Sequence, residues 1–175
     1  QVKGLEIPGY EPRALQTLAL GFAVGTRGAD HNKSGAYEID FSDRVDRLHG
    51  DERSARLAIE TEDRAALMDS LILCKFLRGA FEDFYGESAE LLAAVTGWDV
   101  DAAELHGVAR RVVALRKAFN LREGWKPADD TLPERFLGEA LSEGASAGAR
   151  LPRARPLALI RRYSLERIGH VRQRR

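Results

Sequence analysis

Leu15, Leu18, Ala19 and Phe22 recur at three- and four-residue spacing. That spacing places them on one face of a helix. Pro12 is well suited to open the helix, because its missing N–H would be an orphan there anyway. Gly25 and Gly28 predict its end. Before it, Val2, Leu5 and Ile7 alternate with polar residues and run into Pro8-Gly9, which predicts a short extended segment and a turn. Residues 26–52 carry Gly, Asp, Asn, Ser and charge without steady periodicity and read as one long loop, a length often associated with function.

Helical spacing returns across residues 53–78, with Leu57, Ala58, Leu67, Leu71 and Phe76 predicted to be buried and a break expected near Glu60–Asp63. Ser88 is placed to cap a short helix through Val95 that Gly97 would terminate. Asp99 or Asp101 would cap the next helix, whose Leu105, Val108, Val112, Leu115 and Phe119 trace an amphipathic stripe. Thr131-Leu132-Pro133-Glu134 opens another short turn, and a last helix is expected over Leu157–Ile168. The fold class is therefore all-α, an irregular multi-helix domain with a short extended N-terminus and a long loop. Three stretches are expected: a helical domain over 1–141, a linker over 142–156, and a basic helix and tail over 157–175.

With 44% hydrophobic and 31% charged residues the composition is that of an ordinary globular chain long enough to bury a core. No stretch approaches the roughly 18 uninterrupted apolar residues of a membrane helix. Lys3, Glu6 and Pro8 rule out a signal-peptide core at the N-terminus. The missing initiator Met suggests a processed or excised piece. Net charge is zero, yet from Arg150 onward nine arginines face the single acid Glu166. A basic helix end packed on acidic surface is the favoured reading of that tail. Nucleic-acid binding is disfavoured because no aromatic residues interleave with the final basic cluster.

Chemistry can be sought at few places. Cys74 is the one cysteine, so an internal disulfide is excluded, and a reducing, cytoplasmic setting is expected. Taken alone it reads as a small buried hydrophobe near a helix end, with a ligand role as the minority alternative. Asp69 lies within an apolar stretch, where a desolvated carboxylate needs partners unless it faces the surface. His31 and Lys33 stand in Gly28-Ala29-Asp30-His31-Asn32-Lys33, either a solvated loop or a place to move protons and hold an anion. His49, His106 and His170 have no metal-ligand spacing, which argues against a zinc site.

Several blocks carry a resemblance. VKGLEIPGYEPRALQTLALGFAVGTRGADH (Val2–His31), DSLILCKF (Asp69–Phe76), ELLAAVTGWDV (Glu90–Val100), RKAFNLREGW (Arg116–Trp125) and DDTLPERF (Asp129–Phe136) occur in that order. Together they resemble the C-terminal region of the tungsten-containing aldehyde ferredoxin oxidoreductases over most of residues 2–150. That family oxidises aldehydes to carboxylic acids and passes electrons to ferredoxin. It holds tungsten (or molybdenum) between two pterins beside a 4Fe-4S cluster. The resemblance implies that Cys74 is a cluster ligand closing a D-x-x-G-L-C motif. It implies further that Asp69 bonds the pterin ring, that Leu73 touches the pterin through its backbone, that Lys33 contacts it, and that His31 assists proton transfer.

Ile72 stands where that motif often has Gly, and IRRYSLERIGHVRQRR matches the family's ending poorly. The C-x-x-C-x-x-x-C segment and the other pterin-binding portion are not in this chain. Its partners would be the remaining domains or subunit of the oxidoreductase, ferredoxin and the aldehyde substrate. The alternative is a helical binding or scaffold module of the same descent without redox activity.

Overall fold

In the computed structural model the described residues are 1–172, with side chains described through Arg167. The chain forms α1 (Gln16–Val24), α2 (His31–Ser34), α3 (Tyr37–Asp40), α4 (Glu52–Ser70), α5 (Phe84–Thr96), α6 (Ala102–Arg122), α7 (Glu134–Gly138) and α8 (Ala154–Arg172). Among the described residues there is no sheet, and the N-terminal extended segment is reduced to one antiparallel bridge between Val2 and Leu5. The all-α fold class holds.

Helix α4 is the spine against which α1, α2, α6 and α8 pack. Its start is fixed by reciprocal capping: Asp51 accepts from the Ser54 amide while the Ser54 hydroxyl accepts from the Asp51 amide. Each such cap contributes about 1 kcal/mol. The expected break at Glu60–Asp63 is not there. Glu62 and Asp63 are buried yet answered by α8, since Arg167 pairs with both and the Tyr163 hydroxyl donates to Glu62. Tertiary partners thus remove the penalty that made those acids read as a helix end.

Among the described residues the core forms three clusters. Leu15, just before α1, and Leu18, Ala19 and Phe22 within it meet Val2, Ala29, Leu132 and Leu151. Leu20 and Val24, on the other side of α1, meet Ala55, Ala58 and Ile59 of α4 and Leu159 and Tyr163 of α8. Since α1 is buried on both sides, its sequence is apolar nearly throughout. The third cluster joins Leu67 and Met68 to Phe84, Ala89, Leu105 and Ala109. Lys3 fastens the N-terminus by donating to the Gly25 carbonyl at 3.1 Å and to Asp130 at 2.9 Å, with its ammonium 4.0 Å from the Trp125 ring centroid. Burial brings that lysine down to about 8.

Other expectations need correction. Helix α5 is capped by Asp83, which accepts from the Gly86 amide, and Ser88 is buried inside it; Gly97 ends it in the left-handed conformation as expected. Asp101 caps α6, but its stripe is Leu105, Ala109 and Val113, leaving Leu115 and Phe119 exposed. Leu67 and Met68 of α4 pack against the row that holds Leu105 and Ala109, so that row rather than the one with Leu115 and Phe119 enters the core. Phe76, expected in the core, is 96% exposed, because α4 has already ended at Ser70. The last helix starts at Ala154 rather than Leu157, just after Leu151 has entered the first core cluster. Of the tail's arginines, Arg162 pairs with Glu166 at 2.9 Å and Arg167 with the acids of α4. Arg174 and Arg175 lie outside the described residues.

Candidate cofactor-binding site

The region read as a loop over residues 26–52 folds into two four-residue helices separated by turns. Asp30 caps α2 by accepting from the Asn32 and Lys33 amides at 3.0 and 3.1 Å. Gly35, at φ 63°, closes it in the left-handed region. Gly21 lets α2 lie directly on α1: a Cβ there would stand 2.7 Å from the Ser34 hydroxyl oxygen. This close seat fixes where His31 and Lys33 project.

His31 is half-buried in an aromatic pocket. Its ring centroid lies 5.3 Å from that of Tyr10 and 5.7 Å from that of Tyr37, and those two tyrosines stack at 5.3 Å. Desolvation lowers the imidazole's affinity for a proton; Asp30 works against that and the Arg78 charge reinforces it. A neutral imidazole at neutral pH is suited to accept a proton.

Lys33 reaches from α2 to the last turn of α4, where its ammonium donates to Asp69. Asp69 also pairs with Lys75 at 2.9 Å and, more loosely, with Arg116 of α6 at 3.5 Å. Partial burial pulls the carboxyl's pKa upward, but the hydrogen bonds and charges of Lys33 and Lys75 outweigh it, so Asp69 titrates below its ordinary value. One acid therefore sits among three cations and stays ionised.

The residues after Asp69 close α4 in a particular way. The Leu73 amide donates to the Met68 carbonyl at 2.9 Å and the Ile72 amide to the Asp69 carbonyl at 3.3 Å, the paired bonds of a Schellman cap. The left-handed position of that cap belongs to Ile72, at φ 58°. This is where the D-x-x-G-L-C motif puts glycine. The cost of the branched residue is therefore in the backbone, on the order of 1–2 kcal/mol, and the residue is 92% exposed. Leu73 is half-buried against the third core cluster. Cys74 then begins a 3₁₀ turn, Lys75–Gly79, with its thiol exposed rather than buried.

Of the five residues singled out from sequence, the structure brings His31 and Lys33 onto one helix and pairs Lys33 directly with Asp69. Leu73 and Cys74 follow in the turn that Asp69 starts. Sequence reasoning missed Lys75 and Arg116 as the other partners of Asp69, and Tyr10, Tyr37 and Arg78 around α2. Two signals were available, since Lys75 follows Cys74 directly and Arg116 opens the block RKAFNLREGW. Among the described residues no group of three or more His, Cys, Asp or Glu is placed to hold a metal ion. Cys74 by itself could supply one ligand at most to any site.

The helical unit thus presents an exposed thiol, a half-buried imidazole and three cations around one carboxylate. Comparison with known proteins gives its family. The family model described as "Aldehyde ferredoxin oxidoreductase, domains 2 & 3" matches residues 1–167, and the chain belongs to this family. The match thus runs past the residue 150 at which the visible resemblance stopped. Curated relatives named tungsten-containing aldehyde ferredoxin oxidoreductase align over 152 residues, 84% of this chain. The one from Pyrococcus furiosus is 35% identical and the one from Thermococcus kodakarensis 33%. The chain spans 25% of the length of each. No helix among the described residues is long and apolar enough to cross a membrane.

Proposed function

We propose that this chain forms one wall of the cofactor site of a tungsten-pterin, iron–sulfur oxidoreductase that converts aldehydes to carboxylic acids and delivers electrons to ferredoxin. The observation that carries the reading is the convergence of Lys33, Lys75 and Arg116 on Asp69, five residues before the exposed Cys74 thiol. Three cations around one carboxylate leave net positive charge on a partly open surface. That surplus suits an anionic cofactor, and a cysteine with no hydrophobic cover suits a metal ligand.

Cys74 would give a thiolate to a 4Fe-4S cluster whose other ligands come from the rest of the enzyme. Lys33 would donate to the anionic groups of the pterin. Asp69, fixed as a carboxylate by its neighbours, would accept from the pterin ring, and the Leu73 backbone would lie against it. His31 would accept or return the proton released as the aldehyde gains oxygen. The redox chemistry itself is the cofactor's. This chain's part is to bind, orient and handle a proton.

Cys74→Ser in the full-length enzyme tests the reading. Iron content and the paramagnetic signal of the reduced cluster are measured beside the native protein. Cluster iron lost from a folded enzyme is the expected result. Unchanged iron with an unchanged signal would leave a scaffold without a redox role.

A further inference from the structure

Arg78 makes contacts in this region that the proposed function does not use. It lies in the turn that begins with Cys74, and it is largely buried, with 18% of its side chain exposed. Its Nε donates to the Lys75 carbonyl at 2.7 Å, which fixes the stem to its own turn. One terminal nitrogen lies 2.9 Å from a Glu38 carboxylate oxygen, and the other donates to the Asn32 side chain at 3.4 Å. The guanidinium carbon is 5.3 Å from the centroid of the Tyr37 ring, against which His31 also packs. Thus a single planar group from the cysteine turn touches α2, α3 and the edge of the histidine's pocket.

We propose that Arg78 is a positioning residue that ties the Cys74 turn to the His31 helix as one rigid unit and sets its guanidinium charge at the edge of the histidine's pocket. This rests on the roles given above to Cys74 and His31. The planar fork matters because it satisfies partners in two directions at once, while a lysine offers one point charge. Glu38 does not neutralise the arrangement alone, since Arg64 also pairs with it and Lys75 lies close enough to act on it.

The groups that face His31 can be named element by element. Asp30, at the head of its own helix, favours the protonated form, but its carboxylate is already engaged by Arg27 and by the amides of Asn32 and Lys33. Tyr10 from the N-terminal segment and Tyr37 from α3 present rings. Arg78 supplies the positive charge that opposes protonation.

The test follows the His31 Cε1–H resonance through a pH titration of the full 175-residue chain, where no metal or cofactor is needed. Arg78→Gln is expected to raise the His31 midpoint, because the positive charge that opposes protonation is gone. Arg78→Lys, which keeps the charge but not the fork, is expected to leave the midpoint near that of the native chain. In both variants the amides of Asn32–Gly35 should exchange with solvent faster, because the tie to the cysteine turn is gone. An unmoved midpoint in Arg78→Gln with native helix content would overturn the proposal, as would unchanged exchange at Asn32–Gly35. If Arg78→Gln does not fold, Arg78→Lys still decides through the exchange rates. A failed titration test with cluster loss in Cys74→Ser would sink this inference alone, whereas the reverse pattern would sink the cofactor reading.

Discussion

Helix α4 carries two acidic sites two turns apart, and they are built on opposite principles. Near its middle, Glu62 and Asp63 are buried and answered by Arg167 and Tyr163 from α8. Two acids meet a principal cation and a phenol in a closed space, with Arg110 only 3.8 Å from Asp63. At the end of the helix, Asp69 is partly open and surrounded by Lys33, Lys75 and Arg116. The first arrangement settles its own charge and joins two helices. The second has more positive charge than its acid can use and lies next to exposed Ile72, Cys74 and Phe76. Charge balance and burial together separate a structural ion cluster from a surface suited to receive an anionic partner.

Breaking the inner cluster should cost most. Arg167→Ala would leave Glu62 and Asp63 buried without their cation, and unfolding by urea is expected to show a loss of about 3–5 kcal/mol. Asp69→Asn, by contrast, removes a half-exposed acid from among three cations, and the same assay is expected to show a loss of no more than about 1 kcal/mol. Equal losses in the two variants would erase the distinction between the sites.

Asp40 sharpens the comparison from a third position. It is 3% exposed and accepts from the Thr17 and Leu18 amides at 3.0 and 2.8 Å, so it caps α1 from a distant part of the chain. Burial raises its pKa to about 6 despite those donors. The folded state therefore keeps this proton where the unfolded chain, titrating near 4, has lost it. Its contribution is fully present below about pH 4 and is lost as pH rises through about 6, by at most about 3 kcal/mol. Stability measured over that range in Asp40→Asn should lack this fall.

Two smaller effects belong to the open end of α4. Replacing Ile72 by Gly relieves the left-handed backbone and should stabilise the chain by about 1 kcal/mol in thermal unfolding. Phe76→Ser should change stability by no more than about 0.5 kcal/mol, since its ring touches so little of this chain. A larger loss would mean that Phe76 is packed after all.

Much of this architecture is legible in the sequence alone. Leu15, Leu18 and Phe22 mark a buried helical face, and Gly97 and Asp101 mark helix boundaries, because these signals act over one or two turns. The five residues of the candidate site take their roles only from a resemblance of whole blocks; by themselves His31, Lys33, Asp69 and Cys74 read more readily as a solvated loop, a surface acid and a small buried hydrophobe. The misread positions share a cause. Glu60–Asp63 looked like an interruption because Arg167, the partner that makes buried acids tolerable, lies a hundred residues away. Phe76 looked like core because hydrophobicity does not say whether a helix has already closed.

The sequence by itself determined the longer helices, the helix boundaries at Gly97 and Asp101, and the family, since spacing, capping residues and colinear motifs are properties of neighbours along the chain. Only the tertiary structure decided that Asp69 gathers three cations, that Ile72 takes the glycine position of a helix cap, and that Arg78 reaches from the cysteine turn to the histidine helix. Those facts depend on which distant side chains share a few ångströms of space, and on the charge and solvent left there once the rest has packed.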